Sequence, residues 1–300
     1  MSRARNILSI SVTLVLFACS TSRTSSQLVT SYDLAGPEAS LILPDTLHEV
    51  SGITALDATT LACVQDENGI VFFYDVLRGE LTHRLTFGGD GDYEGIARAG
   101  KDLYVLRSDG VLFEILDFAS GKQHVTEIPT GIPSENNEGL CFDQSNHRLL
   151  IACKEKAGKG PEFKNKRAIY GFDLRRKTLS AEPVFNFDLQ AIKQAAPDHH
   201  IFLPGKKKKS GDGTEPVLKF KASAICLHPL TGKLYLISDA DHLLFVFDMK
   251  GGLDEMALLD PAVFNKAEGL TFFPGGDMLI SNEGQEKKPT LFRFGYKKKE

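Results

Sequence analysis

Apolar residues fall along most of this chain in short runs of about four to eight, broken by Gly, Asp, Asn and Ser. Runs of that length with such punctuation predict β-strands. They gather in fours. The first group is 51–55, 60–64, 70–75 and 81–87, with turns at Glu67-Asn68-Gly69 and Arg78-Gly79. The second is 95–99, 103–107, 111–116 and 124–128, and the third 139–143, 148–154, 168–173 and 182–189. A fourth group runs 222–227, 234–238, 243–248 and 254–259. The last, 269–273, 278–281 and 290–294, lacks a strand, and the isolated apolar run 40–43 near the N-terminus is the candidate to complete it.

Each group opens on a related motif. Asn137-Glu138-Gly139-Leu140 is echoed by Tyr93-Glu94-Gly95-Ile96 and Ala267-Glu268-Gly269-Leu270, and more weakly by Val50-Ser51-Gly52-Ile53 and Ala222-Ser223-Ala224-Ile225. From Ser51 through Glu94, Glu138 and Ser223 to Glu268 the steps are 43, 44, 85 and 45 residues. A period in the forties is that of a four-stranded propeller blade. The long step spans 190–218, which offers a short helix at 191–196 and, beyond Pro204, a Lys- and Gly-rich loop, but no second set of four strands. The expectation is an all-β chain: a β-propeller of five four-stranded blades, with six as the alternative, closed by the N-terminal strand.

The N-terminus reads separately. Arg3 and Arg5 precede an eleven-residue apolar run, 7–17, of signal-peptide length and below the roughly 18 residues a spanning helix needs. It ends at Leu16-Phe17-Ala18-Cys19, the form of a bacterial lipobox. The expected order is a lipoprotein signal peptide over 1–19, lipidation at Cys19, a flexible tether over 20–38 and the propeller over 39–300. Cys19 then anchors the protein to a membrane of the bacterial cell envelope, on the periplasmic or surface side. A formal net charge of −4 argues against nucleic acid as a partner. Cys63, Cys141, Cys153 and Cys226 lie in apolar runs without a C-x-x-C pair, so buried free thiols are expected rather than a zinc site; Cys141 and Cys153 are the only two close in sequence.

In a propeller the innermost strands begin at the mouth of the central channel. The repeat therefore places Glu94, Glu138 and Glu268 there, with Ser51 and Ser223 in the other blades. A second set, Asp66, Asp109, Glu155, Asp239 and Asn282, recurs where the second strands end. Clustered carboxylates must be relieved by a cation or by raised pKa values, and such oxygens suit Ca²⁺. Nucleophile-elbow, zincin and phosphate-loop signatures are missing from the chain. His199 and His200, on the insertion, are expected to be solvated.

Asp92-Tyr93-Glu94-Gly95-Ile96, Asn137-Glu138-Gly139-Leu140, 223–229, 232–239 and Ala267-Glu268-Gly269-Leu270 resemble, in order, the SdiA-regulated (YjiK-like) family of bacterial envelope proteins, over roughly 45–296. The resemblance implies an envelope β-propeller without an assigned reaction. More distantly the chain is similar to esterase-like phytase and calcium-dependent lactonase propellers, which implies Ca²⁺ held by Glu94, Glu138, Glu268, Asp239 and Asn282. Two functions follow as expectations. One is a binding module for a small-molecule ligand or another envelope protein. The alternative is a Ca²⁺-dependent lactonase or phosphoesterase.

Overall fold

The computed structural model describes residues 28–29, 31–134, 136–158, 160–208 and 212–298; the expected signal segment and Cys19 lie outside the described residues. Blade 1 is Val50–Ala55, Thr60–Gln65, Asn68–Asp75 and Glu80–Asp90. Blade 2 is Tyr93–Ala99, Asp102–Arg107, Val111–Leu116 and His124–Pro129. Blade 3 is Asn137–Asp143, Arg148–Cys153 and Lys166–Asp173, with an outer strand split into Thr178–Leu179 and Phe185–Asp188. The split brackets Pro183, which has no N–H to give to a ladder. Blade 4 is Ala224–Leu227, Leu234–Ser238, Leu243–Phe247 and Leu253–Leu258. Blade 5 is Ala267–Phe272, Met278–Asn282 and Thr290–Phe294, completed by Ala39–Ile42, which pairs antiparallel with the last of these. The ring is a five-bladed propeller closed by its N-terminal strand.

Neighbouring inner strands approach closely because a small residue, Gly in four blades and Ala224 in blade 4, follows the repeated Glu or Ser. A Cβ on Gly95 would stand 2.8 Å from the Glu138 carbonyl oxygen and 2.8 Å from the Leu140 Cβ, both of the next blade. Side chains from each pair of adjacent blades form one of five apolar clusters, so the core is five seams around a narrow channel. With no Trp in the chain, the aromatic packing in these seams falls to Phe, Tyr and His; in the seam between blades 3 and 4, Phe187, Phe220 and Phe247 have ring centroids 4.5–6.2 Å apart.

Between blades 3 and 4 the chain forms a helix, Leu189–Ala195, a 3-10 turn, Ala196–His199, and a small hairpin, Gly205–Lys207 with Thr214–Pro216. This is an insertion and not a sixth blade. The helix starts two residues before the expected 191 because the Asp188 carboxylate caps it, accepting from Gln190 N at 2.9 Å. The hairpin corrects the expectation of plain loop beyond Pro204. Another correction concerns the tether: Tyr32 and Leu34 are buried, so packing begins well before residue 39. Tyr32 is held by a relay in which His228 Nδ1 accepts from Leu230 N and Thr231 N, leaving Nε2–H to donate to Tyr32 Oη at 2.8 Å. The Tyr32 hydroxyl then donates to the Gly276 carbonyl.

Candidate functional site

The repeated Glu or Ser sits on an irregularity that the strand pattern alone did not reveal. In blades 1, 2, 3 and 5 the inner-strand register slips between Val50 and Gly52, Tyr93 and Gly95, Asn137 and Gly139, and Ala267 and Gly269. Ser51, Glu94, Glu138 and Glu268 are thus the extra residues of four equivalent β-bulges, a device that re-aims a side chain at the rim of a sheet. All four, with Ser223, line the bore, which leaves about 10 Å³, room for roughly one water.

The serines and the glutamates then part ways. Ser51 Oγ donates to the Tyr93 carbonyl at 2.6 Å and Ser223 Oγ to the Ala267 carbonyl at 2.8 Å, each reaching the next blade's inner strand. These hydroxyls bind blade to blade. Glu138 and Glu268 are instead buried carboxylates with lysine partners: Lys154 Nζ pairs with Glu138 Oε1, and Lys266 Nζ lies 3.4 Å from Glu268 and 2.7 Å from Glu283. Burial alone would lower the Lys266 pKa; Glu268 and Glu283 more than offset it and raise it. Sequence reasoning missed both lysines.

Backbone bonds show which residues share a position. Asp66 N donates to Glu49 O, Ser108 N to Asp92 O, Lys154 N to Asn136 O and Glu283 N to Lys266 O. The ring at the second-strand ends is therefore Asp66, Ser108, Lys154, Asp239 and Glu283. Of the five expected there, Asp66 and Asp239 keep their places. Asp109 and Glu155 lie one residue beyond and Asn282 one short, and a one-residue slip turns a strand side chain to the other face. Asp109 is accordingly at the surface, bound bidentately by Arg107 at 3.0 and 2.9 Å. Glu155 is at the rim, paired with Lys221 across the seam of blades 3 and 4. Asn282 stays buried, its Nδ2 donating to Thr290 Oγ1 at 3.2 Å.

Acidic groups outnumber the lysines around this mouth, and their pKa values respond. Burial, then Asp92, pushes Glu94 up to about 8, with Glu268 and Asp66 adding to the rise and Lys154 opposing it. Burial raises Asp66 to about 6, with Glu49 and Glu283 adding to it. Burial also raises Glu268 against the pull of Lys266, and raises Asp239, whose Oδ1 accepts from Ala267 N at 3.1 Å. Two buried oxygens here, Asp66 Oδ1 and Glu138 Oε2, accept no hydrogen bond within the protein. Among the described residues, no three His, Cys, Asp or Glu side chains are arranged to hold a metal ion. The two lysines supply part of the counter-charge that the repeat pattern suggested a cation would bring.

The insertion belongs to this face. Connections from outer to next inner strand, and from second to third strand, emerge where the inner strands begin, and both 154–165 and 189–218 are such connections. The return of the insertion is clamped from two sides. Arg167 donates to the carbonyls of Phe220 (3.1 Å) and Lys219 (2.8 Å), and the Asp241 carboxylate accepts from Lys219 N (2.8 Å) and Phe220 N (2.7 Å).

The far end is different. Ile53, Ile96, Leu140, Ile225 and Leu270 close the bore two residues further along the inner strands, and beyond them opens a bowl of about 980 Å³. Phe142, Leu227, Phe272 and Pro274 form much of its wall, with Arg98, Asp143 and His147 also lining it.

No protein-family model matches the chain, and no curated protein matches it. Solved structures do. The glutaminyl cyclase of Myxococcus xanthus aligns with a TM-score of 0.55 at 13% identity, over 88% of this chain and 97% of that one. A structural-genomics protein of unknown function from Bacteroides thetaiotaomicron gives 0.49 at 13% identity over 82% and 55%. Virginiamycin B lyase from Staphylococcus aureus gives 0.45 at 12% over 85% and 73%. At these identities the likeness concerns the fold alone, and it is a propeller. Among the described residues, no helix is long and apolar enough to cross a membrane.

Proposed function

We propose that this chain is an envelope β-propeller of the SdiA-regulated type, tethered to a membrane through lipidated Cys19. In this reading it is a binding module whose ligand site is the carboxylate–lysine mouth of the channel. The observation that carries the proposal is the pair of unpartnered acceptors, Asp66 Oδ1 and Glu138 Oε2, beside a glutamate that burial holds largely protonated at neutral pH. Buried acceptors without donors cost free energy, and only a donor relieves them. The ligand they suit is an amine or guanidinium, on a small molecule or on a basic side chain of an envelope protein. Its positive charge also offsets the acidic neighbours that add to burial in raising Glu94.

Calorimetric titration tests this reading. Arginine methyl ester and spermidine should bind the wild type, dicarboxylates of similar size should not, and Glu138→Gln should weaken the binding at least tenfold. Equal response to cations and anions would contradict it.

The orphan Glu138 Oε2 also supports the second reading, a Ca²⁺-dependent hydrolase with Glu94, Glu138, Glu268, Asp239 and Asn282 as ligands, of which Asn282 is turned away from the mouth. Lys154 and Lys266 count against it, since each already occupies a carboxylate that the ion would need. Thermal melting with Ca²⁺ and with a chelator separates the two. A Ca²⁺-dependent rise that Glu138→Gln abolishes would favour the metal.

A further inference from the structure

Two cysteines stand on adjacent inner strands in the wall of the far bowl. Cys141 and Cys226 occupy the same position of neighbouring inner strands, three residues past Glu138 and Ser223. They lie 85 residues apart in sequence, yet Leu227 N donates to Cys141 Sγ at 3.2 Å, which sets the Cys141 sulfur against the residue that follows Cys226. The pair that looked closest in sequence is not this pair. Cys153 faces a different cluster, with blade 2, and all four described cysteines are free thiols.

The neighbouring blades show that the position does not need sulfur. In blade 5 it is Thr271, whose Oγ1 accepts from Ala55 N of blade 1 at 3.1 Å, the same bond that Cys141 makes with blade 4. In blades 1 and 2 the position holds Thr54 and Ala97. A hydroxyl satisfies the seam, so two adjacent cysteines carry chemistry that the packing does not demand. Access differs between them: Cys141 is buried, whereas Cys226 is half-buried and borders a bowl wide enough for a small disulfide.

We propose that Cys141 and Cys226 form a dithiol site for thiol–disulfide exchange, closed by a low-molecular-weight disulfide entering the bowl into a bond that ties blade 3 to blade 4. In the first step the Cys226 thiolate attacks one sulfur of the disulfide, forming a mixed disulfide and expelling one small thiolate. Cys141, losing its proton to solvent, then attacks the Cys226 sulfur and expels the second. Both protein thiols are oxidised by two electrons in all, and the small disulfide is reduced to two thiols. The neighbouring Cys226 and burial hold the Cys141 thiol well above its ordinary pKa, so the more exposed Cys226 reacts first and the intramolecular step is the slower one. Cys63 and Cys153, pushed by burial up to about 12 and about 11, serve as internal controls.

The test uses the full chain, reduced, freed of reductant and exposed to oxidised glutathione while folded. Non-reducing peptide mapping should find Cys141 joined to Cys226, with those two residues together lighter by about 2 Da and any adduct on Cys19 mapped separately. Cys63 and Cys153 should react only after unfolding. In Cys141→Ser, Cys226 should keep a glutathione adduct, because the second step is lost. A lasting adduct on Cys226 of the wild type, or both thiols remaining reduced, would overturn the proposal.

Discussion

Two residues along the same inner strands separate a crowded set of carboxylates from a ring of Ile and Leu. At the near mouth, Glu94, Glu138 and Glu268 stand on β-bulges, ringed by Asp66, Asp239 and Glu283, with lysines from two blades pressed among them. At the far mouth the strands have regained their register, and Ile53, Ile96, Leu140, Ile225 and Leu270 seal the bore beneath a broad bowl. The far ring is held by burial alone and is indifferent to pH. The near ring has to balance desolvation against charge, so its stability depends on protonation and on whatever supplies donors. That imbalance is what the proposed binding reading rests on.

The comparison can be broken most severely at the near end. Lys154→Met leaves Glu138 buried without its counter-charge and should cost about 3 kcal/mol in urea unfolding. Adding Glu138→Gln to that variant should restore most of the loss; failure to do so would mean that Lys154 acts by packing. Leu270→Ala at the far ring should cost about 2–3 kcal/mol through the cavity it leaves, with the pH dependence of stability unchanged. Ser223→Ala removes the blade 4 to blade 5 bond and orphans the Ala267 carbonyl, for about 1–2 kcal/mol.

The smallest effect separates the two ends by pH. Glu94 has a folded pKa above its ordinary value, so between the two the folded protein keeps a proton that the unfolded chain has released. Stability therefore falls as pH rises towards about 8. His228 works in the opposite sense below 6.5, because burial lowers its folded pKa to about 4 and the unfolded chain takes up the proton first. The interval from 6.5 to 8 thus isolates the carboxylates. There Glu94→Gln should flatten the fall and raise stability near pH 8 by about 1 kcal/mol, allowing for the partial exposure of Glu94. An unchanged slope would move the titrating group elsewhere.

Much of the fold was legible because a propeller repeats. The step in the forties gave the blades, and strand limits from alternation fell within about three residues of those observed. The split outer strand of blade 3 was less legible, since Pro183 breaks a ladder without ending the element. The site was legible only in part, for a reason of register. The Glu-Gly motif marks the inner strands directly, but the second-strand ends carry no motif, so Asp109 and Glu155 were read one residue late and Asn282 one early. Lys154 and Lys266 escaped notice because a lysine at a strand end usually marks solvent. Their role follows from the bulges, which are created by pairing across strands and leave no local signature. Cys141 and Cys226 were likewise invisible as a pair, because a blade and the long insertion put 85 residues between them.

The most direct test of the near mouth as the functional end is a carboxyl ¹³C NMR titration of Glu94, alone and with an amine ligand present. In the free protein the carboxyl should titrate near pH 8, and the ligand should bring it down towards the ordinary range by supplying charge and donors. A Glu94 that titrates near 4.5 in the free protein, or one that the ligand leaves unmoved, would contradict the account.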